Sequence, residues 1–262
     1  TEKVFIKQWG VNCLTTDVTA KKATLTADIA LTNETSHNVV VRVVSTLMYG
    51  DETVGKATNR ITMGSKEESV VSQVFDVENP KLWDVDKPEL YSLVTEVRGR
   101  ELLDNTVTAV GFRTLEFDPG KGFLLNGKNM KLKGICMHHD AGTLGSAVPK
   151  EEVARRLDIL KEMGCNAIRT SHNPFSTDFL DLCDEKGFLV IDEAFDEWEL
   201  PKKKWLAGWN VGNPGKEGYA TYFREWAKRD LRDFIMRDRN HPCVIMWSIG
   251  NEVDYPNDPY SH

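Results

Sequence analysis

From Lys131 onward, short apolar runs alternate with longer segments of helical periodicity, and every apolar run ends in polar residues. Residues 132–137 lead into His138-His139-Asp140, residues 167–170 into Ser171-His172 with Arg169 inside the run, residues 188–192 into Asp192-Glu193, and residues 244–247 into Asn251-Glu252. Between them, residues 150–163 follow Pro149 and place Val153, Leu157 and Leu160 on one helical face. Residues 176–186 predict a second helix, and residues 219–237 a third, with Phe223, Ala227, Leu231 and Phe234 at helical spacing. Alternation of strand and helix implies a parallel sheet, because each crossover returns the chain in the same direction. No Gly-rich phosphate loop follows the first run, as a dinucleotide-binding sheet requires. Polar groups gathered at the carboxyl ends of parallel strands instead fit the catalytic face of a (β/α)8 TIM barrel.

A full barrel takes about 250 residues, and residues 131–262 supply about half of that. The expected organisation is therefore an immunoglobulin-like β-sandwich over residues 1–110, then the first half of a TIM-barrel catalytic domain over 111–262, truncated after strand 4. In the first part, residues 23–31 alternate strictly, with Leu25, Ala27, Ile29 and Leu31 on one side and Thr24, Thr26 and Asp28 on the other. Residues 39–49, 69–77, 91–97 and 102–110 supply further strands, and about seven short strands in about a hundred residues indicate a sandwich. Between the two parts, Asn126-Gly127 flanked by apolar residues predicts a tight hairpin.

The last strand and its turn read Asn-His-Pro-Cys-Val-Ile-Met-Trp-Ser-Ile-Gly-Asn-Glu, residues 240–252. An isolated Asn-Glu pair after a strand is ordinarily a turn former beside a solvated carboxylate. Over its whole length, however, this stretch resembles the acid/base motif of glycoside hydrolase family 2, which holds β-galactosidases, β-glucuronidases and β-mannosidases. Residues 166–174 together with 182–193 resemble a second motif of that family, departing from it at Asn173, where Tyr is common; Cys243 departs from the Ser common in the first. Asn79-Pro-Lys-Leu-Trp83, residues 88–91, Gly111-Phe-Arg113 and Leu125-Asn-Gly-Lys128 resemble the family's central sandwich and its passage into the barrel.

The resemblance implies hydrolysis of terminal non-reducing β-D-galactosides by a retaining double displacement, with β-glucuronidase or β-mannosidase activity as the alternatives. Such chemistry needs a proton donor for the departing oxygen and a carboxylate to stabilise the oxocarbenium-like centre. Glu252 is the expected acid and later the base, with Trp247 and Met246 as apolar neighbours that raise its pKa. The nucleophile is expected on a later strand, beyond His262, so that these residues alone are expected to be inactive. Asn251 is expected to meet the sugar's 2-hydroxyl, and His172, Arg169, His138, Asp192 and Trp247 to complete the substrate site. Asp192, Glu193 and Glu197 line the site rather than attack. Arg169 has a second role open to it, as a buried charge that holds acids in place.

Two other classes compete. Adjacent His138 and His139, with Asp140 and Asp192, could ligate zinc in a metal-dependent barrel hydrolase. A non-catalytic carbohydrate-binding chain would bind sugar without turnover. Some family members hold a divalent cation through acidic and His residues near the third strand, but Glu197-Trp198-Glu199 lacks that His. No cofactor is expected, and a divalent cation is kept as an alternative.

Composition narrows the partners. A net charge of -7 and a pI near 5.5 argue against nucleic acid, whose phosphates call for a basic surface. Hydrophobic residues at 40% and charged residues at 28% suit a soluble globular protein, whose compartment, cytoplasm or periplasm, the sequence leaves open. No apolar stretch approaches the roughly 18 residues of a membrane span. The expected partner is a carbohydrate substrate, with homo-oligomer formation when full length. Five cysteines, Cys13, Cys136, Cys165, Cys183 and Cys243, lack paired spacing and are expected mostly as core thiols.

Overall fold

In the computed structural model, which describes residues 2–199 and 218–253, the alternating segment becomes strand β2 (Lys22–Asn33). Its inward side chains Leu25, Ala27, Ile29 and Leu31 are fully buried. β2 pairs antiparallel with β1 (Val4–Thr16) on one side and β5 (Glu68–Glu78) on the other. The second sheet runs β4 (Glu52–Met63), β3 (Val39–Tyr49), β6 (Tyr91–Arg98), β7 (Leu102–Val110). Val41, Val43, Leu47, Leu93 and Val97 meet the β2 residues in one apolar core. Each such buried side chain contributes about 1.5–3 kcal/mol. β1 and β4 escape a search for alternation for different reasons. A bulge between Ile6 and Val11 breaks the period of β1, and β4, at the sheet edge, is rich in polar residues and only one of its side chains, Met63, is fully buried.

A three-stranded meander follows, β8 (Leu115–Asp118), β9 (Gly122–Leu125) and β10 (Lys128–Asn129). At its tight turn Asn126 and Gly127 have φ of 51° and 74°, the two positive values that such a hairpin needs. The chain divides into two compact units, Thr1–Lys131 with Arg239–Pro242, and Leu132–Asp238 with Cys243–His262. The meander thus groups with the sandwich in this division. Its hydrogen bonds explain the grouping: Asn126 Nδ2 donates to Trp83 O at 3.0 Å, and the Trp83 N–H donates to Phe112 O at 2.8 Å. Residues 239–242 join the same unit through the Asn240 amide, which donates to Val11 O at 2.8 Å and accepts from Cys13 N at 2.9 Å.

The second unit is built on β11 (Gly134–His138), β12 (Ala167–Ser171), β13 (Leu189–Glu193) and β14 (Val244–Ser248), all parallel and in sequential order. Sequential order is what a barrel uses; a doubly wound sheet reverses direction at a switch point. Helices α1 (Lys150–Glu162), α2 (Thr177–Lys186) and α3 (Phe223–Asp238) connect or flank the strands. α1 buries Val153, Leu157 and Leu160, as their spacing predicts. α3 starts later than expected, since Tyr219–Thr221 form a separate 3-10 turn. The architecture is an antiparallel sandwich followed by a parallel β/α region, a partial TIM barrel. Among the described residues, no helix is long and apolar enough to cross a membrane. The cysteines are all unpaired, and only Cys183 and Cys243 are core thiols; Cys136 is exposed.

Candidate active site

Side chains on a strand alternate between faces, so the register of the parallel sheet decides which polar residues meet. Cys136 pairs with Arg169, Arg169 with Ile191, Ile191 with Met246, and Glu193 with Ser248. Arg169, Glu193 and Ser248 thereby converge on one face. Glu193 is fully buried, and its carboxylate collects four donors. Oε2 accepts from Arg169 Nε at 2.9 Å, Arg169 Nη2 at 2.7 Å and Ser248 Oγ at 2.6 Å, and Oε1 lies 2.7 Å from His172 Nδ1. A buried carboxylate is tolerable only with such compensation.

Arg169 Nη2 also donates to Asn251 Oδ1 at 2.9 Å, while Asn251 Nδ2 donates to Asp196 Oδ1 at 3.1 Å and the Asn251 N–H to Phe195 O at 2.9 Å. Of the two roles open to Arg169, holding acids in place is the one its contacts display. Burial works against its charge, but its contacts with Cys136 and Glu193 outweigh this and leave its pKa raised. His138, exposed at the end of β11, stands edge-on to His172 with ring centroids 5.2 Å apart. The cluster therefore brings together Arg169, His172, His138 and Asn251.

The turn after β14 delivers Glu252 beside Asn251. Trp198 Nε1 donates to Ile249 O at 2.8 Å, and a Cβ on Gly250 would stand 2.8 Å from that same indole nitrogen, so the turn requires glycine there. Glu252 is exposed and adopts φ of 47°, the left-handed region that costs a non-glycine residue roughly 1–2 kcal/mol. Strain of this kind gathers at functional sites.

Asp192 and Trp247 are not brought to this cluster. Each precedes by one residue a member of the Glu193–Ser248 pair, and a one-residue offset puts a side chain on the opposite, helix-covered face. Trp247 packs edge-on against Phe234 of α3, with ring centroids 5.2 Å apart. Asp192 accepts from Thr170 Oγ1 at 3.1 Å. Its burial, and then the negative charge of Asp238, push its pKa up to about 7. The zinc grouping of His138 with Asp192 is likewise not formed, since the two lie on opposite faces. Met246 does share the face of Ser248 and is 41% exposed.

The residues near the third strand do not fit the carboxylate-and-imidazole cation site. Glu199 Oε2 is paired with Arg224 Nη2 at 2.9 Å, and Glu197 Oε1 accepts from the Ala220 N–H at 3.2 Å. Sequence reasoning assigned no role to Ser248, Asp196 or Thr170, and gave Glu193 only a lining one. Their signal was proximity to the Asp192-Glu193 and Trp-Ser-Ile-Gly-Asn-Glu stretches, but their partners are set by register.

A sandwich followed by sequential parallel βα units, with carboxylates and an arginine clustered at the strand ends, defines a β-sandwich joined to part of a (β/α)8 barrel with a polar strand-end site. Residues 119–260 match the family described as "Glycosyl hydrolases family 2, TIM barrel domain", and residues 4–113 match "Glycosyl hydrolases family 2". The chain belongs to glycosyl hydrolase family 2. It is 47% identical over 255 residues to the β-galactosidase BoGH2A of Bacteroides ovatus, covering 97% of this chain and 29% of that one. The crystal structure of a family 2 member from Bacteroides cellulosilyticus matches with a TM-score of 0.86 at 37% identity, over 97% of this chain and 32% of that one. A Bacteroides uniformis β-glucuronidase matches with a TM-score of 0.82 at 29% identity, over 96% of this chain and 29% of that one. The chain thus spans about a third or less of the length of these relatives.

Proposed function

We propose that a protein carrying these residues hydrolyses terminal non-reducing β-D-galactosides with retention of configuration, using Glu252 as acid and base. The observation that carries this reading is the placement of Glu252 next to an Asn251 held from two sides, by Arg169 and by Asp196. In the first step, protonated Glu252 gives its proton to the glycosidic oxygen while a second carboxylate attacks the anomeric carbon. In the second step, Glu252 takes a proton from the water that displaces that carboxylate. Glu193 is an unsuitable nucleophile, since Arg169, His172 and Ser248 all engage its oxygens. By family resemblance the nucleophile lies on a later strand.

Asn251 Nδ2 spends one N–H on Asp196 and has a second to offer the sugar's 2-hydroxyl, a contact that strengthens toward the transition state. His172 and His138, on the same face, supply further sugar contacts. The preference for galactosides is supported by the 47% identity to a β-galactosidase, and the likeness to a β-glucuronidase keeps glucuronides as the competing substrates. Assay of an intact protein on a panel of nitrophenyl β-galactoside, β-glucuronide and β-mannoside separates them. The reading requires the highest kcat/KM on galactoside; sugar binding without turnover on any of them would overturn it.

A further inference from the structure

Behind the Glu193 carboxylate, on the helix-covered face of the sheet, lies a second set of polar groups, joined to it through the Glu193 backbone N–H. The pairing of β12 with β13 runs only to Arg169 and Ile191. The Glu193 N–H, just beyond, donates instead to a side chain, Thr170 Oγ1, at 2.8 Å. That hydroxyl in turn donates to Asp192 Oδ1 at 3.1 Å. A threonine hydroxyl has a single proton, so with one lone pair taken by Glu193 its direction is set by Asp192. Thr170, Asp192 and Glu193 are all fully buried. Thr170 Oγ1 is satisfied on both sides, which makes it rigid, while Asp192 Oδ2 has no hydrogen-bond partner among the described residues, a cost that bears most heavily on the ionised form.

Asp192 is itself backed by α3. Asp238 beside it is clamped by Arg237, whose Nε and Nη2 reach the two carboxylate oxygens at 2.6 Å each, and Arg237 Nη2 also donates to Phe175 O at 2.8 Å. The raised pKa of Asp192, set first by burial and then by the nearby charge of Asp238, agrees with a neutral acid in this place, one that accepts a hydrogen bond without adding a second negative charge beside Asp238.

We propose that Thr170 and Asp192 are positioning residues, which fix the end of β13 from behind and so aim the Glu193 carboxylate at Arg169, His172 and Ser248. Only the kinetic consequence rests on the glycosidase reading. Small displacements of a supporting group can cost about 10- to 100-fold in rate.

The test uses four substitutions in the intact protein: Thr170→Val, which keeps the shape and removes the hydroxyl, Thr170→Ser, which restores it, Asp192→Ala and Asp192→Asn. Two quantities are read: the resonance of the His172 Nδ1 proton in histidine-labelled protein, which reports its contact with Glu193, and kcat and KM on nitrophenyl β-galactoside. Thr170→Val and Asp192→Ala should shift the resonance and lower kcat about 10- to 100-fold with a smaller change in KM. Thr170→Ser and Asp192→Asn should recover most of both. An unshifted resonance in Thr170→Val, or a Thr170→Ser variant no better than Thr170→Val, would overturn the proposal. Wild-type protein without glycosidase activity would count against the function proposed above, while the resonance still decides the positioning role.

Discussion

Arg169 meets Glu193 with two nitrogens on one oxygen, Nε at 2.9 Å and Nη2 at 2.7 Å from Oε2, and carries the second of these on to Asn251. Glu193 is fully buried, so removal of the guanidinium leaves an uncompensated charge in the interior. Arg169→Met is expected to cost about 3–5 kcal/mol, read as a lower midpoint in urea unfolding. Adding Glu193→Gln to it should cost less than the sum of the two single losses, because the partners share one interaction. Additive losses would show that the pair is not coupled.

Asn251 offers a separate handle on the site. Asn251→Ala is expected to lower kcat with a modest change in KM, the pattern of an interaction made mainly in the transition state. On a 2-deoxygalactoside the same substitution should cause no further loss. A full additional loss on that substrate would place Asn251 away from the 2-hydroxyl.

Asp192 predicts a pH dependence of stability. Its folded pKa of about 7 lies well above the usual carboxylate range, so its protonated form favours the folded state. The contribution is fully present below the unfolded value and is lost as pH rises through about 7, where burial of the charge opposes folding. Asp192→Asn cannot ionise. Its melting temperature relative to wild type should therefore rise between pH 5 and pH 8, and a difference that stays constant or falls over that range would contradict the assignment.

In the sandwich, adjacent positions should respond very differently to truncation. Leu25 of β2 is fully buried opposite Phe75, while Val74, next in sequence to that phenylalanine, is 59% exposed. Leu25→Ala should cost about 2–5 kcal/mol and Val74→Ala within about 0.5 kcal/mol. Chemical denaturation of both variants checks the pair of values.

Those contrasts show what could be read from the chain and what could not. The alternation around Leu25 and the helical spacing of Val153, Leu157 and Leu160 are local patterns, and both elements stand where their patterns put them. The resemblance of residues 240–252 to a family motif located the turn that presents Asn251 and Glu252. The roles of Asp192 and Glu193 were not legible in the same way. Both are acidic and adjacent, and only the pairing of Arg169 with Ile191 decides which one meets the guanidinium. Trp247 and Ser248 pose the same problem one strand further on. Cys136 lies in an apolar run, but its parity puts it on the Arg169 face, exposed and with its sulfur 3.6 Å from Arg169 Nη1.

The central claim is that Glu252 donates the proton that lets the sugar's partner leave. General acid help of this kind is typically worth about 10²- to 10⁴-fold, and it matters little when the leaving group is already a stable anion. The decisive measurement is pre-steady-state glycosylation by Glu252→Gln in an intact, active protein, comparing an alkyl β-galactoside with a dinitrophenyl β-galactoside. The account predicts a loss in that range for the alkyl substrate and near wild-type glycosylation by the dinitrophenyl one; equal losses on both substrates would contradict it.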